Sequence, residues 1–435
     1  MARAAPPRRS SRLGARQAPR WAARLLGVVA VVPLVLMVAA GTTSLQVDES
    51  RAFSATTPAL SAASPAPVTA SPGTSGPVRR PPATHPQPAP APNRITMAFS
   101  GDILIHQGLW EAAAARASGG ARFDFRPELG PIGPVVREAD LAICHLETPL
   151  SPDDRGLSSY PVFETPHELA PAIAWAGYDG CSTASNHTLD GGTAGVTSTI
   201  TWLDRAGLQH AGSARTQKGS RKITTYRVVG AVSVTHLAYA FGFNGFTPDH
   251  PWRANRILVP KILQDAARAR RSGADLVVVS LHWGTEYTHS PTAWQREVAD
   301  RLTRSPNIDL IVGHHAHVVQ PVTRLHGTFV AYGMGNLLSG MTSSLGTAAV
   351  EDGMVLVATA ERRGDAWRVT KLSYVPTWVE YGTWRVLPIA RTLAMKWPSA
   401  ALRATLRASW SRTVAAVNLL GADRLGVRPS GHLPS

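Results

Sequence analysis

Short apolar runs recur along this chain, and each ends at a side chain that can bind a metal. The clearest run, residues 309–313, leads directly into a cluster of three imidazoles at His314, His315 and His317. Runs of this length and composition are typical of buried strands. Four other runs end in the same manner, at Asp102, Glu147, Asn186 and His282. If these groups act together, the fold must bring five strand ends to one place.

Helical periodicity fills the segments between these runs, as in residues 196–207, 259–272 and 292–304. Strands that alternate with helices predict an α/β fold with mostly parallel central strands and helical crossovers. Ligands of such sheets bind beyond the carboxyl ends of the strands. The sequence therefore predicts one metal-binding edge to which all five strands contribute.

The N-terminal part differs from the rest in composition. Seven arginines and no acid precede Leu25, and an apolar run continues to Ala40. This pattern predicts a signal peptide or a membrane anchor over residues 1–45, and either one places the remaining chain outside the cytoplasm. Residues 46–93 are rich in Pro, Ala and Ser, which predicts a disordered linker that is either a tether or a pro-region.

The net charge of +15 does not indicate a nucleic-acid partner. Up to Arg94 the chain has eleven arginines, no lysine and two acids, so a surplus of nine lies outside the predicted folded part. The remaining surplus of positive charge is modest, and the predicted folded part contains no basic stripe interleaved with aromatic residues.

Two further features bear on the folded part. Cys144 and Cys181 lie on strands that are predicted neighbours, and an exported protein permits either a disulfide or two buried thiols. Leucine and arginine at helical spacing predict a helical C-terminal extension over residues 386–435. Its two short helices either pack on the domain or touch an anionic envelope surface.

Six blocks of sequence, in this order, resemble the CapA family, which is associated with poly-γ-glutamate capsule synthesis and is related to calcineurin-like metallophosphoesterases. The blocks are Ser-Gly-Asp102, His-Leu-Glu147-Thr-Pro, Ser-Asn186-His187-Thr-Leu-Asp190, Leu-His282-Trp283-Gly-Thr-Glu286-Tyr287, Gly-His314-His315-Ala-His317-Val-Val-Gln320 and Tyr332-Gly-Met-Gly-Asn336. The resemblance extends over residues 95–380. It implies a metallophosphoesterase-like four-layer α/β sandwich in a domain over residues 94–385.

The resemblance also implies roles for individual residues. The metal ligands would be Asp102, Glu147 as the bridging carboxylate, Asn186, His282, His315 and His317. His187 would contact the scissile group and protonate its leaving atom, while Glu286 would either orient a ligand histidine or meet the substrate. This mixture of oxygen and imidazole ligands suits Mn, Zn or Fe, and a divalent centre of this type supports hydrolysis.

A further group of residues is expected around these ligands or against the substrate: His314, Trp283, Tyr287, Asp190, Gln320 and Asn336. Trp283 and Tyr287 are predicted on the rim of the site. His314 is predicted to lie in an outer position or merely to pack, because the His-x-His spacing selects His315 and His317.

One departure concerns the first metal. The wider superfamily has Asp-x-His in its first block, whereas this chain has Leu104 after Asp102. The site would therefore hold one metal or two, and His106 either replaces the missing ligand or is a solvated loop residue.

Two functional hypotheses follow. In the first, the protein is an extracytoplasmic metal-dependent hydrolase acting on a phosphoester, or on an amide of an anionic polymer such as poly-γ-glutamate. In the second, it is a metal-stabilised binding or assembly component of an envelope-polymer export complex without turnover. Both leave room for contact with the membrane through the N-terminal segment and with other capsule-synthesis subunits.

Overall fold

The computed structural model describes residues 93–229 and 232–431. The predicted signal or anchor segment and almost all of the predicted linker lie outside these residues. Those predictions, and the proposed domain limits, therefore stay predictions.

The strands of the described residues are β1 (Arg94–Leu104), β2 (Leu141–Leu146), β3 (Gly180–Ser182), β4 (Gln209–Ala211), β5 (Thr224–Val228), β6 (Val232–Ala240), β7 (Leu276–His282), β8 (Leu310–His314), β9 (Val322–Leu325), β10 (Thr328–Ala331), β11 (Asn336–Ser339), β12 (Asp352–Arg363), β13 (Ala366–Val379), β14 (Val386–Pro388) and β15 (Arg428–Pro429). The α-helices are α1 (Gln107–Arg116), α2 (Arg126–Leu129), α3 (Gly133–Arg137), α4 (Leu169–Ala176), α5 (Gly192–Arg205), α6 (Gln217–Ser220), α7 (Val259–Arg271), α8 (Ala293–Thr303), α9 (Ile389–Leu393) and α10 (Ala400–Asn418). Short 3-10 turns lie at Ser343–Leu345, Ala348–Glu351 and Ala422–Leu425.

The strands form two sheets. The first has the order β14-β13-β12-β1-β2-β3-β4, with β11 also paired to β1 and β15 to β13, and the second has the order β5-β6-β7-β8-β10-β9. Strands β1 to β4 are parallel to one another, as are β6, β7, β8 and β10. Helices connect β1 to β2, β2 to β3, β3 to β4, β6 to β7 and β7 to β8, which confirms the predicted crossovers, whereas β8 leads to β10 through β9. The carboxyl ends of the strands that carry the predicted ligands therefore meet at one edge.

The sheets pack face to face with helices outside each of them. Met97 and Phe99 of β1 belong to the same buried core as Val278 and Val312 of the second sheet, whereas Ala98 belongs to the core formed with the helices that cover the first sheet. A separate core joins α7 and α8 to the outer face of the second sheet. Since strand side chains alternate between faces, both sheets are apolar on both sides. The predicted α/β sandwich of four layers is confirmed.

Strand β1 changes partner along its length at Gly101. Residues Arg94–Ser100 pair with β12, and Asp102 pairs with Asn336 at the start of β11. A Cβ atom on Gly101 would lie 2.1 Å from the carbonyl oxygen of Gly335, so only glycine allows this approach. The Asp102 backbone N–H donates to that same oxygen at 2.9 Å. This contact sets Asp102 beside Asn336.

Cys144 and Cys181 form a disulfide between β2 and β3. They are direct partners in the parallel register, with Cα atoms 4.4 Å apart, and both side chains are buried. Of the two alternatives that the sequence left open, the structure contains the bridge.

The C-terminal extension packs on the domain. Helix α9 is short, but α10 runs for 19 residues, so the prediction of two short helices is wrong for the second. Trp410 and Leu406 of α10 join a small core with Trp378 of β13. No helix among the described residues combines the length and apolar composition that are needed to cross a bilayer.

We expect the ion pair between Arg412 and Asp352 to stabilise this extension. Arg412 donates from Nε and from its second terminal nitrogen to the two oxygens of Asp352, each at 2.7 Å, and Asp352 is buried. Arg412→Ala leaves that carboxylate buried without its partner, which lowers the free energy of unfolding by about 1–3 kcal/mol. Urea denaturation measures the change.

Arg304→Ala is the matched control, because Arg304 pairs with Asp300 through the same two kinds of nitrogen but both side chains are exposed. Its loss is expected to change the free energy of unfolding far less than the loss of Arg412, because water screens an exposed ion pair. Equal costs for the two variants would show that α10 does not depend on this pair.

Candidate metal centre

The structure brings all six predicted ligands together at the edge where the parallel strands end. Every one of them is buried, from Asp102 with no exposed surface to His315 with 5%. Three overlapping groups have ligand atoms within 4.8 Å of one another: Asp102, His145 and His314; His145, Glu147 and His282; and Glu147, His315 and His317. The arrangement is therefore one continuous cluster between the two sheets.

Asp102 connects the first sheet to the histidine segment of the second. Its Oδ1 lies 3.1 Å from Nδ1 of His314, and its Oδ2 accepts from the backbone N–H of His315 at 3.1 Å and lies 3.3 Å from Nδ1 of His317. Burial alone would raise the pKa of Asp102, but the hydrogen bonds from His314 and His317 outweigh it and hold that pKa well below its usual range. Asp102 is therefore an ionised acceptor.

The Glu147 carboxylate is buried without a hydrogen bond. Glu147 is 1% exposed, and among the described residues neither of its carboxylate oxygens has a hydrogen-bond partner. Its Oε1 lies 3.7 Å from Nε2 of both His282 and His317. Burial raises the pKa of Glu147 well above its usual value. A buried carboxylate that faces two imidazole nitrogens in this manner is suited to a cation.

The backbone after β8 is strained where the histidines leave the sheet. His315 has φ 87° and His317 has φ 54°, and both values lie in the left-handed region that side chains other than glycine rarely adopt. The bend turns successive imidazoles inward rather than to alternate faces. Strain of this kind is concentrated at functional sites.

His317 has a defined orientation. Its Nδ1 lies 3.0 Å from Oδ1 of Asn336, and the Asn336 amide nitrogen donates to the carbonyl of Val350 at 2.9 Å. Nε2 of His317 is thus left to face Glu147. Although burial lowers the pKa of His317, the carboxylates of Glu147 and Asp102 raise it to about 9. Asn336 therefore touches a candidate ligand and orients it.

Asn186 and His282 come from different sheets and meet directly. Oδ1 of Asn186 lies 2.7 Å from Nε2 of His282. The Asn186 amide nitrogen donates to Oδ1 of Asn244 at 3.2 Å, which directs the Asn186 oxygen into the cluster. Asn244 was not predicted from the sequence. The available sequence signal was the dipeptide of Asn244 and the following glycine, which is typical of turns. In the structure Asn244 has φ 46°.

His187 forms a dyad with Asp190. Its Nδ1 lies 2.6 Å from Oδ2 of Asp190, and the same oxygen accepts from the backbone N–H of Phe163 at 2.7 Å. The Phe163 ring also meets the His187 ring edge-on at 4.7 Å. The second ring nitrogen of His187 thus remains available to a substrate.

The structure places His314 in direct contact with Asp102, as expected for the outer position that was one of its two predicted alternatives. His314 is also in one of the groups that can hold an ion. His314 is the last residue of β8 and lies opposite His282 in the β7–β8 register. The two side chains therefore project from the same face, into the space between the sheets.

The prediction that Trp283 lies on the rim is wrong. Trp283 has no exposed surface, donates from Nε1 to the carbonyl of Tyr332 at 2.9 Å, and stacks against the Tyr332 ring. It follows His282 along β7, so it points to the opposite face, under α8. Tyr287 is exposed, and its ring centroid lies 6.4 Å from that of His317.

Gln320 contacts the loop after β7, and Glu286 is part of this loop. Gln320 is buried, accepts from Gln295 and donates to the carbonyl of Thr288 at 2.8 Å, so it holds this loop in place. Glu286 is half-buried, and its charge is one of the influences that raise the pKa of His317.

Leu104 and His106 lie beside the cluster. Leu104 is buried in the strand. Nδ1 of His106 lies 3.1 Å from both the Leu104 carbonyl and the Gly340 backbone nitrogen, and its ring meets Phe163 edge-on. Among the described residues, His106 is in none of the groups that can hold an ion, so the structure does not support its substitution for the missing ligand.

Residues 96–341, more than half of the chain, match the family described as bacterial capsule synthesis protein PGA_cap. The chain belongs to this family of capsule synthesis proteins, as the six sequence blocks predicted. The match ends before β12, so it is shorter than the resemblance that the sequence suggested.

Curated relatives agree with this assignment. The chain is 25% identical to the PGA biosynthesis protein CapA of Bacillus subtilis and 27% identical to the capsule biosynthesis protein CapA of Bacillus anthracis, over 59% of its length in each case. It is 26% identical to a probable polyglutamine synthesis accessory protein of Mycobacterium tuberculosis, over 46% of its length. The alignments span 67%, 63% and 55% of those proteins, so part of each relative has no counterpart in the match.

Solved structures similar to the chain include the calcineurin-like phosphoesterase YfkN from Bacillus subtilis, at 13% identity and a TM-score of 0.42, covering 74% of this chain and 98% of that one. A putative 5'-nucleotidase from Staphylococcus aureus has 14% identity and a TM-score of 0.41, covering 72% of this chain and 58% of that one.

We predict that Glu147→Gln changes stability in opposite directions with and without metal. In chelator the variant should be as stable as the wild type or more stable, because an uncharged amide replaces a buried carboxyl group that has no hydrogen-bond partner among the described residues. With added Mn²⁺ or Zn²⁺ the wild type should gain about 2.7 kcal/mol at a hundredfold excess over Kd, and the variant much less. Thermal unfolding in both conditions measures this.

Glu138→Gln is the control, since Glu138 is exposed. It should leave both the chelator and the metal values unchanged. A metal-induced gain of wild-type size in Glu147→Gln would show that this carboxylate is not a ligand.

Proposed function

We propose that this protein is an extracytoplasmic metal-dependent hydrolase that acts in the synthesis, export or processing of an envelope polymer. The bond that it hydrolyses would be a phosphoester, or an amide of an anionic polymer such as poly-γ-glutamate. The observation that carries the proposal is the buried Glu147 carboxylate, which faces two imidazole nitrogens and has no hydrogen-bond partner in the part of the chain that the structure describes. Membership of the capsule synthesis family and the names of the relatives support a role with an envelope polymer.

The donor set fits Mn, Zn or Fe, because it combines carboxylate and amide oxygens with several imidazoles. Asp102, Glu147, Asn186, His282, His315 and His317 would hold the metal, and the position of His314 against Asp102 adds a seventh candidate. A bound divalent cation supplies Lewis acidity and activates water at neutral pH.

His187 is the candidate general acid. Asp190 accepts the proton on Nδ1 of His187, so the imidazolium form would carry its second proton on Nε2. Transfer of that Nε2 proton to the leaving atom in a substrate complex would leave a neutral ring that keeps its Nδ1 proton on Asp190. The neighbouring surface carries Phe241, whose ring lies 4.6 Å from that of His315, and Tyr287, and both are exposed enough to contact a substrate.

A second function, that of a metal-stabilised binding or assembly component without turnover, is favoured by one observation. Leu104 is buried at the position where the wider superfamily has a metal-binding histidine. A site with fewer ligands can stabilise the fold and bind an anionic chain while catalysing poorly.

The remaining parts of the proposal concern location. The arginine-rich and apolar N-terminus supports export, with the protein either held at the membrane or released. Contact with other capsule-synthesis subunits is proposed from the family alone.

Turnover of a generic phosphodiester and of γ-glutamyl oligomers by protein purified without chelator tests the function. We expect His187→Ala to lower kcat by about 10²–10⁴ with metal content retained, because it removes the proton donor and no ligand. His317→Ala should lower both turnover and metal content.

His326→Ala is the control histidine, since His326 is exposed and pairs with Asp300 on the surface. It should leave turnover and metal content unchanged. Unchanged turnover in both His187→Ala and His317→Ala would exclude the hydrolase. Metal and polymer binding without turnover on either substrate would favour the binding component instead.

A further inference from the structure

His145 is a buried histidine to which the sequence blocks assign no role. It lies on β2 two residues before Glu147, and both side chains therefore project from the same face of the strand. It has no exposed surface. Its ring stacks on that of His314, with centroids 4.0 Å apart and planes at 17°. His145 is thus part of the wall behind the candidate ligands.

Both nitrogens of His145 are engaged by other side chains. Nε2 lies 2.9 Å from Nδ1 of His282, and Nδ1 lies 2.6 Å from the hydroxyl oxygen of Ser182. The same nitrogens belong to two of the groups that could hold an ion, but in this structure both are used in hydrogen-bond contacts of 2.9 Å or less. His145 therefore reaches the metal centre through His282.

The direction of the hydrogen bonds follows from the other side of His282. Nε2 of His282 faces Asn186 and Glu147, and a nitrogen that binds a metal must be unprotonated. The proton of a neutral His282 is then on Nδ1 and is donated to Nε2 of His145. The proton of His145 is in turn on Nδ1 and is donated to Ser182. This arrangement of protons satisfies both contacts of His145, and it leaves Nε2 of His282 and the Asn186 oxygen, two acceptors 2.7 Å apart, to be satisfied by the metal.

We propose that His145 and Ser182 form a relay of uncharged hydrogen bonds that fixes the tautomer and the ring orientation of His282 for metal binding. Both are positioning residues, and the inference rests on the metal site of the proposed function. Histidine ligands more often donate to a carboxylate or a backbone carbonyl. Here an imidazole takes that place, so no third negative charge is added beside Asp102 and Glu147.

The sheet holds the relay in register. His145 and Ser182 are direct partners in the β2–β3 ladder, and the preceding pair is the disulfide between Cys144 and Cys181. The disulfide faces the helices and the relay faces the second sheet, because neighbouring residues of a strand alternate between faces. The covalent link thus maintains the 2.6 Å contact from the opposite side.

Cobalt binding to the full chain tests the relay, with affinity measured by chelator competition and ligand geometry by visible absorption. His145→Phe keeps a ring against His314 but cannot accept the proton of His282. We expect it to bind cobalt about 10–100-fold more weakly and with an altered spectrum. His145→Gln should stay within about threefold of the wild type, because its amide oxygen can accept that proton.

Two further variants separate the relay from general packing. His236 is an equally buried histidine in the same layer, with Nε2 2.8 Å from the hydroxyl of Ser280, so His236→Phe should leave cobalt affinity and spectrum unchanged. Ser182→Ala leaves every imidazole in place and should weaken binding by about three- to tenfold. Combined with His145→Phe, it should add no further loss.

Wild-type affinity and spectrum in folded His145→Phe would overturn the relay, as would a loss in His145→Gln as large as that in His145→Phe. If His145→Phe does not fold, Ser182→Ala decides, and unchanged affinity in that variant overturns the proposal. A wild-type protein that binds no cobalt would overturn both the proposed metal site and the relay. A wild type that binds cobalt, together with one of the variant results above, would overturn the relay alone, so the two failures can be distinguished.

Discussion

The fold depends on how two sheets satisfy the polar groups that they bury between them. Asp102 of the first sheet accepts hydrogen bonds from the histidine segment of the second, and Asn186 meets His282 across the same gap. Unpaired, such groups would each cost several kcal/mol in this environment. The apolar core below them holds the sheets together, and the polar layer determines their alignment at the ligand edge.

Much of this arrangement could be predicted from the chain. Apolar runs that end at Asp102, Glu147, Asn186, His282 and the 314–317 cluster require parallel strands, because only then do the ends meet. The helices between them supply the crossovers. The six blocks added the family, and the match over residues 96–341 confirmed it.

The rest depended on contacts that sequence spacing does not reveal. Trp283 was predicted on the rim with its neighbours Glu286 and Tyr287, but it directly follows His282, the last residue of β7, and strand alternation turns its indole into the core. His314 touches Asp102 because it is the last residue of β8 and its side chain faces the first sheet, whereas the His-x-His spacing selected only His315 and His317. Asn244 comes from a distant loop, and only the tertiary structure shows that it holds the Asn186 amide.

The pairing of β1 has a consequence for how the protein can be divided. The family match stops at residue 341, yet β12 and β13 follow it, and β12 lies directly against β1 in the middle of the first sheet. A fragment cut at the family boundary would leave the backbone of residues 94–100 as an open edge, and exposed edges of apolar strands pair with other chains. The segment that matches the family is therefore smaller than the smallest piece that can be expected to fold. Fragments for expression should keep the chain through β15.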